Sequence, residues 1–180
     1  MSHPHPPEKV RLIASLFSPE KGIIQEVIAQ LSKIYGVVDW VGPEMFFDRT
    51  RYYAKEMGWP LYRRFVSFQD LISPETLVEV KLRTNAIENE YLLLGNRQIN
   101  IDPGYISLER VILATGKNYI HRVYLGKGIY ADLTLIFKRG SFRPLEWTYR
   151  DYSAPEMIAA FNELRGAYLK KIRDSSLAPP

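Results

Sequence analysis

Between Tyr119 and Phe137 the chain reads YIHRVYLGKGIYADLTLIF, and this stretch holds the only histidine beyond His3 and His5, with polar side chains at every second position. An imidazole that titrates near neutral pH, an arginine fork, a lysine, two phenols and a carboxylate can hold an anion and move a proton. Asp102, in the segment QINID, adds a second carboxylate on an alternating strand, beside Pro103 and Gly104 where the backbone is expected to turn. The expectation from these residues is that Arg122 and Lys127 grip an anionic group while Tyr124 and Tyr130 present aromatic faces beside Asp132. Asp102 and His121 are the acid-base candidates. Arg63 and Arg64, which interrupt an aromatic strand, and Lys81, which shares a helix flank with Asn85, complete the expected ligand-binding set. The same alternation also suits a hairpin with one wet face, so a hydrogen-bonded structural His121 stays open beside a reactive one.

The hairpin must carry these groups. A three-residue loop Gly126-Lys127-Gly128 separates polar from apolar residues, with Gly128 in the left-handed position, whereas two- or four-residue loops mix them. That register sets Arg122 opposite Asp132 and Tyr124 opposite Tyr130, and it predicts a buried face of Val123, Leu125, Ile129, Ala131, Leu133 and Leu135. Three helix starts are announced by SPEKG at Ser18, SPETL at Ser73 and SAPEM at Ser153, each with a capping serine, and the third with a capping box through Glu156. Apolar stripes follow, such as Ile24, Val27, Ile28, Leu31 and Ile34 in the first helix, ended by Gly36. The segment SLERVILATG keeps helical spacing at Leu108, Val111, Ile112 and Thr115 and is expected to form a short helix. Strands are expected in VRLIASLF, VVDWVGPEMFF, RRFVSF and QINID.

The resulting order is strand, helix, strand, strand, helix, strand. It predicts an α+β fold of ferredoxin-like order, a mainly antiparallel sheet with helices on one face, extended by a C-terminal β-hairpin and a closing helix. One domain over residues 9–173 is expected, with mobile tails at 1–8 and 174–180. A chain of 180 residues with 46% hydrophobic content supports one core without staples. The absence of cysteine removes disulfides, thiolate metal sites and cysteine nucleophiles. The apolar run Leu12 to Phe17 is too short for a signal core or a membrane span, so a cytoplasmic protein with no membrane partner is expected. No HExxH or GxSxG occurs, and Asp102 and Asp132 read as salt-bridge partners, so no metal site is expected and no cofactor is indicated.

The segments INIDPGYIS, VILATGKNYIHRVYLGKGIYADLTL, PLEWTYRDYSAPE, EMGWPLYRRFVSFQDLISPE and VKLRTNAIE carry a resemblance that spans nearly the whole chain. They resemble an uncharacterised prokaryotic family catalogued as a domain of unknown function, some members of which are loosely labelled GTP-binding protein. The resemblance implies no established activity. A phosphate loop needs glycine, four residues, glycine, lysine and serine or threonine, and neither GNRQINIDPG nor GKGIYAD supplies it, so a guanine-nucleotide switch is not expected. A net charge of +4 mildly favours anionic partners. The primary expectation is a protein that binds, and can act on, a small phosphate- or carboxylate-bearing molecule, a nucleotide included. The alternatives are a single-stranded RNA module stacking bases on Tyr124 and Tyr130 with Lys127, Lys138, Arg139 and Arg143 at its flank, or a protein-interaction domain using Phe142, Trp147, Tyr149 and Tyr152.

Overall fold

Alternation along the first strand sets the layers. The structure, a computed structural model, describes residues 3–47 and 51–177. In β1 (Val10–Ser18) every residue is buried. Leu12, Ala14 and Leu16 face α1 (Lys21–Tyr35) and α3 (Leu77–Glu90), while Ile13 faces α4 (Pro155–Leu177). Successive side chains of a strand point to opposite faces, so β1 lies between two helical layers. The expectation of helices on one face is corrected: α1 and α3 share a face, and the closing helix covers the other. The reason lies in the second apolar set, Ile13, Phe65, Val111, Leu135 and Phe142, which needs its own cover and receives Met157, Phe161 and Leu164 of α4.

The chain is α+β with one large antiparallel sheet. The remaining strands are β2 (Val38–Val41), β3 (Met45–Phe46), β4 (Tyr62–Ile72), a small hairpin of β5 (Leu92–Leu93) and β6 (Asn96–Arg97), then β7 (Asn100–Ile106), β8 (Arg110–Thr115), β9 (Arg122–Gly126), β10 (Ile129–Lys138) and β11 (Ser141–Pro144). A short helix α2 (Ala54–Met57) lies before β4. The nine-stranded sheet runs β11-β10-β8-β7-β1-β4-β2, with β3 on β4 and β9 on β10. Every pairing in it is antiparallel.

Four local expectations are corrected. The SLERVILATG segment is strand β8, not a helix: Val111, Ile112, Leu113 and Ala114 are all buried because both faces of a central strand are covered, which erases alternation. The serines do not cap. Ser18 ends β1, its Oγ accepting from Glu20 N and donating to Gln98 O, and neither Ser73 nor Ser153 bonds an early helix N–H. α4 runs to Leu177, past the expected boundary at 173, while residues 1–2 and 178–180 of the expected tails lie outside the described residues.

The fourth correction concerns the hairpin. Its register is as expected, with Tyr130 opposite Tyr124 and Asp132 opposite Arg122, and Gly128 takes φ +77°, which glycine adopts without strain. Only the β10 part of its apolar face is covered, however: Ile129 is buried, whereas Val123 is 67% exposed and Leu125 is also exposed. β9 lies off the main run of the sheet, paired with β10, and leaves these two side chains open to solvent. Nor do Leu133 and Leu135 share a face. A bulge lies between them against β8, so Leu133 packs on the α3 side and Leu135 on the α4 side.

Candidate functional site

The site forms where the sheet comes apart. β7 pairs with β1 along its whole length, but with β8 only from Gly104 to Ile106. There the strands are close, since a Cβ on Gly104 would sit 2.3 Å from Ile112 O. Beyond Leu113, β8 leaves β7 and follows β10, pairing Ala114 with Ala131 and Thr115 with Tyr130. The backbone of Ile101 therefore loses the strand it would have met. Two side chains of α3 replace it: Glu88 Oε1 accepts the Ile101 N–H at 2.6 Å, and Lys81 Nζ donates to Ile101 O at 2.8 Å. Buried backbone groups need partners, and here the partners are charged.

A cleft of about 990 Å³ opens into this split. Its floor is polar. Arg63, Asn100, Asp102 and Asp132 rise from β4, β7 and β10, and Lys81, Asn85 and Glu88 line it from α3. Tyr52, Tyr53, Trp147 and Tyr149 form aromatic walls, with Lys117 and Arg150 at the mouth.

Most of the charges are already matched. Arg63 is 5% exposed, forms an ion pair with Asp151, and lies 4.0 Å from the Phe47 ring centroid and 5.0 Å from that of Phe17. Burial pulls its guanidinium below its ordinary pKa. Arg97 donates from Nε and Nη2 to both carboxylate oxygens of Glu56, and from Nη1 to Asn100 Oδ1 at 3.0 Å and Glu88 Oε2 at 3.3 Å. Asn100 passes the chain on, donating to Asp102 Oδ2 at 2.8 Å. The Arg97 hydrogen bond holds the Glu56 carboxyl below its usual range, whereas burial pushes Glu88 up. Desolvation also raises the Tyr53 phenol to about 12, so it stays protonated as a donor. Lys117 and Arg150 differ from these: among the described residues neither forms an ion pair, and Lys117 Nζ only overlies the Tyr52 ring at 5.0 Å.

Of the residues expected from sequence, Arg63, Lys81, Asp102 and Asp132 meet in the cleft. Arg64 is adjacent to Arg63 on one strand and so points to the α1 face, where it donates to Gly42 O and pairs with Glu44. Arg122 is engaged within the chain through all three nitrogens, to Asp132 Oδ2, Lys117 O and Tyr149 OH. His121 sits behind the wall, stacked on Trp147 at 4.7 Å with Nε2 3.4 Å from Asp132 Oδ2. The Tyr124 and Tyr130 rings lie 5.1 Å apart on the hairpin, and Lys127 pairs with Glu79 on the surface. Residues the sequence did not single out as a site are Glu56, Glu88, Arg97, Lys117, Arg150 and Asp151. The spacing of Lys81, Asn85 and Glu88 along one flank of a helix was the available signal for α3. Nothing local marks the others, since Arg97 and Glu56 are 41 positions apart. Among the described residues no three metal-ligating side chains gather, and no helix is long and apolar enough to cross a membrane.

A family model described as Domain of unknown function (DUF4416) matches residues 8–168. No curated protein and no solved structure matches the chain.

Proposed function

We propose that this chain, which belongs to the family of that domain of unknown function, binds a small organic molecule bearing a phosphate or carboxylate in the split-sheet cleft. The observation that carries this reading is the contrast in charge pairing: the buried cations of the floor have carboxylate partners, and Lys117 and Arg150 at the mouth have none among the described residues. An anion at the mouth meets an arginine fork and a mobile ammonium without displacing a salt bridge. The volume suits the purpose, standing at the upper end of the roughly 300–1,000 Å³ usual for ligand pockets. Asp102, whose side chain is 35% exposed and whose Oδ1 lies 3.7 Å from Lys81 Nζ, is the proton acceptor open to such a ligand. The finer reading of the fold as ferredoxin-like is supported by the central strands β7-β1-β4-β2 and by α1 and α3 sharing one face.

Thermal-shift and calorimetric titration with inorganic phosphate and citrate tests the anion site. Stabilisation that vanishes in Lys117→Met/Arg150→Met, with the unliganded melting temperature unchanged, is the expected result; equal stabilisation of both proteins sinks the reading. A second reading, single-stranded RNA binding by the hairpin, is favoured by Tyr124, which is 59% exposed beside Tyr130. Filter binding of mixed oligonucleotides over a salt series decides between them. Steeply salt-sensitive binding lost in Tyr124→Ala replaces the first reading by the second.

A further inference from the structure

The interior of the cleft is selective in a way the mouth is not. Its buried lining is divided: Arg63, Lys81, Glu88, Asn100, Asp132 and Asp151 are charged or amide groups, beside Phe47, Leu113, Ala114 and Tyr152, and half-exposed Asp102 adds a carboxylate. A flat heteroaromatic ring seated against the charged and amide members would strip water from them and return few hydrogen bonds, leaving buried polar atoms unpaired. Two of the aromatic walls are partly engaged within the chain, one face of Trp147 being covered by His121 and the Tyr149 hydroxyl accepting from Arg122.

Several donors and acceptors remain available to a ligand. Asp102 Oδ2 accepts from Asn100, but Oδ1 has no hydrogen-bond donor among the described residues, Lys81 being 3.7 Å away. Lys81 has three N–H groups and spends one on Ile101 O. Asn85, one helical turn beyond Lys81, has a carboxamide with no hydrogen-bond partner among the described residues, and Tyr53 lines the same cleft. Donors and acceptors thus line one cleft together. We propose that the ligand is a hydroxyl-rich acid, a sugar phosphate or sugar acid, whose hydroxyls engage Asp102, Lys81 and Asn85 while its acidic group meets Lys117 and Arg150. A hydroxyl both donates and accepts, so a polyol can satisfy a carboxylate, an ammonium and an amide at once. The assignment rests on the anion-binding reading above and extends it to the body of the molecule.

Calorimetry with ribose 5-phosphate, gluconate, ribose, inorganic phosphate and adenosine monophosphate separates the two levels. The expected result is that ribose 5-phosphate or gluconate binds at least about tenfold tighter than inorganic phosphate, and that Asp102→Asn removes this advantage while leaving phosphate binding unchanged. Should Asp102→Asn fail to fold by circular dichroism, Asn85→Ala on the half-exposed helix flank provides the same reading, with a smaller loss. Equal binding of phosphate and ribose 5-phosphate overturns the hydroxyl-rich assignment and leaves the anion site standing. So does adenosine monophosphate binding tenfold tighter than ribose 5-phosphate, since the base would then be the recognised part. If no phosphate or carboxylate compound binds, the anion-binding reading fails, and the assignment with it.

Discussion

The two halves of β7 differ in what lies beside them. From Gly104 to Ile106 the strand is zipped to β8 and its inner face lies in the apolar cluster under α4, with Ile106, Val111, Phe161 and Leu164. From Asn100 to Asp102 no strand among the described residues pairs with that side, and its polar partners are Glu88, Lys81 and Arg97. Both halves bury carbon, Ile106 on the α4 side and Ile101 on the α1 and α3 side, but only the second is also edged by a chain of charge-assisted hydrogen bonds. The first arrangement excludes water and stabilises; the second keeps polar atoms at the edge of a cavity, where a ligand can reach them.

That contrast is sharpened first by removing carbon from the zipped half. Phe161 is fully buried in the α4 cluster, and Phe161→Ala should cost about 3–5 kcal/mol in urea unfolding. Among the ion pairs around the cleft, loss of the buried Arg63 and Asp151 pair should cost nearly as much, since Asp151→Ala strands a buried charge at about 3–5 kcal/mol. The double variant Arg63→Met/Asp151→Leu should recover most of that loss. If Asp151→Ala is mild, the pair is hydrated and the floor of the cleft is wetter than its burial implies.

A smaller effect separates the two carboxylates that share Arg97. Glu88 is raised above its ordinary value of 4.5 in the folded chain, so its contribution is present below that value and lost as pH rises through the folded one. Glu56 is lowered from 4.5, so its contribution is present above that value and lost as pH falls through the folded one. Stability followed against pH should therefore lose its fall on the high side in Glu88→Gln and its rise on the low side in Glu56→Gln. Slopes of the same sign would break the distinction between the buried carboxylate and its exposed neighbour.

Least is expected at the hairpin, which belongs to neither half. Gly128→Ala, at φ +77°, should cost about 1 kcal/mol. Lys127→Met breaks only an exposed pair with Glu79 and should change unfolding by about 0.5 kcal/mol or less. A larger loss from Lys127→Met would mean that the hairpin is held to α3 through that contact.

How much was legible follows from the range of each interaction. The turn at Gly126-Lys127-Gly128 and the pairing of Arg122 with Asp132 are local, and two-residue periodicity with loop parity settles them. The stripes of α1 and α3 are local for the same reason. β8 was misread because Val111 to Ala114 are covered on both faces, so its pattern has no period of two. Val123 and Leu125 were misplaced because sequence can say which residues share a face, but not whether anything lies over it.

The sequence by itself determined the α+β class, the hairpin register, the order of the main elements and the presence of polar residues in segments otherwise built for burial. Tertiary structure alone decided which of those polar residues meet. Arg63 and Arg64 are equivalent in a strand pattern, yet one faces the cleft and the other α1. Lys81 and Glu88 are ordinary helix-flank residues until β8 departs from β7 and leaves Ile101 without a partner. Pairing across a sheet depends on where strands separate, and that separation is a balance of packing among segments far apart in the chain, which no short window of residues contains.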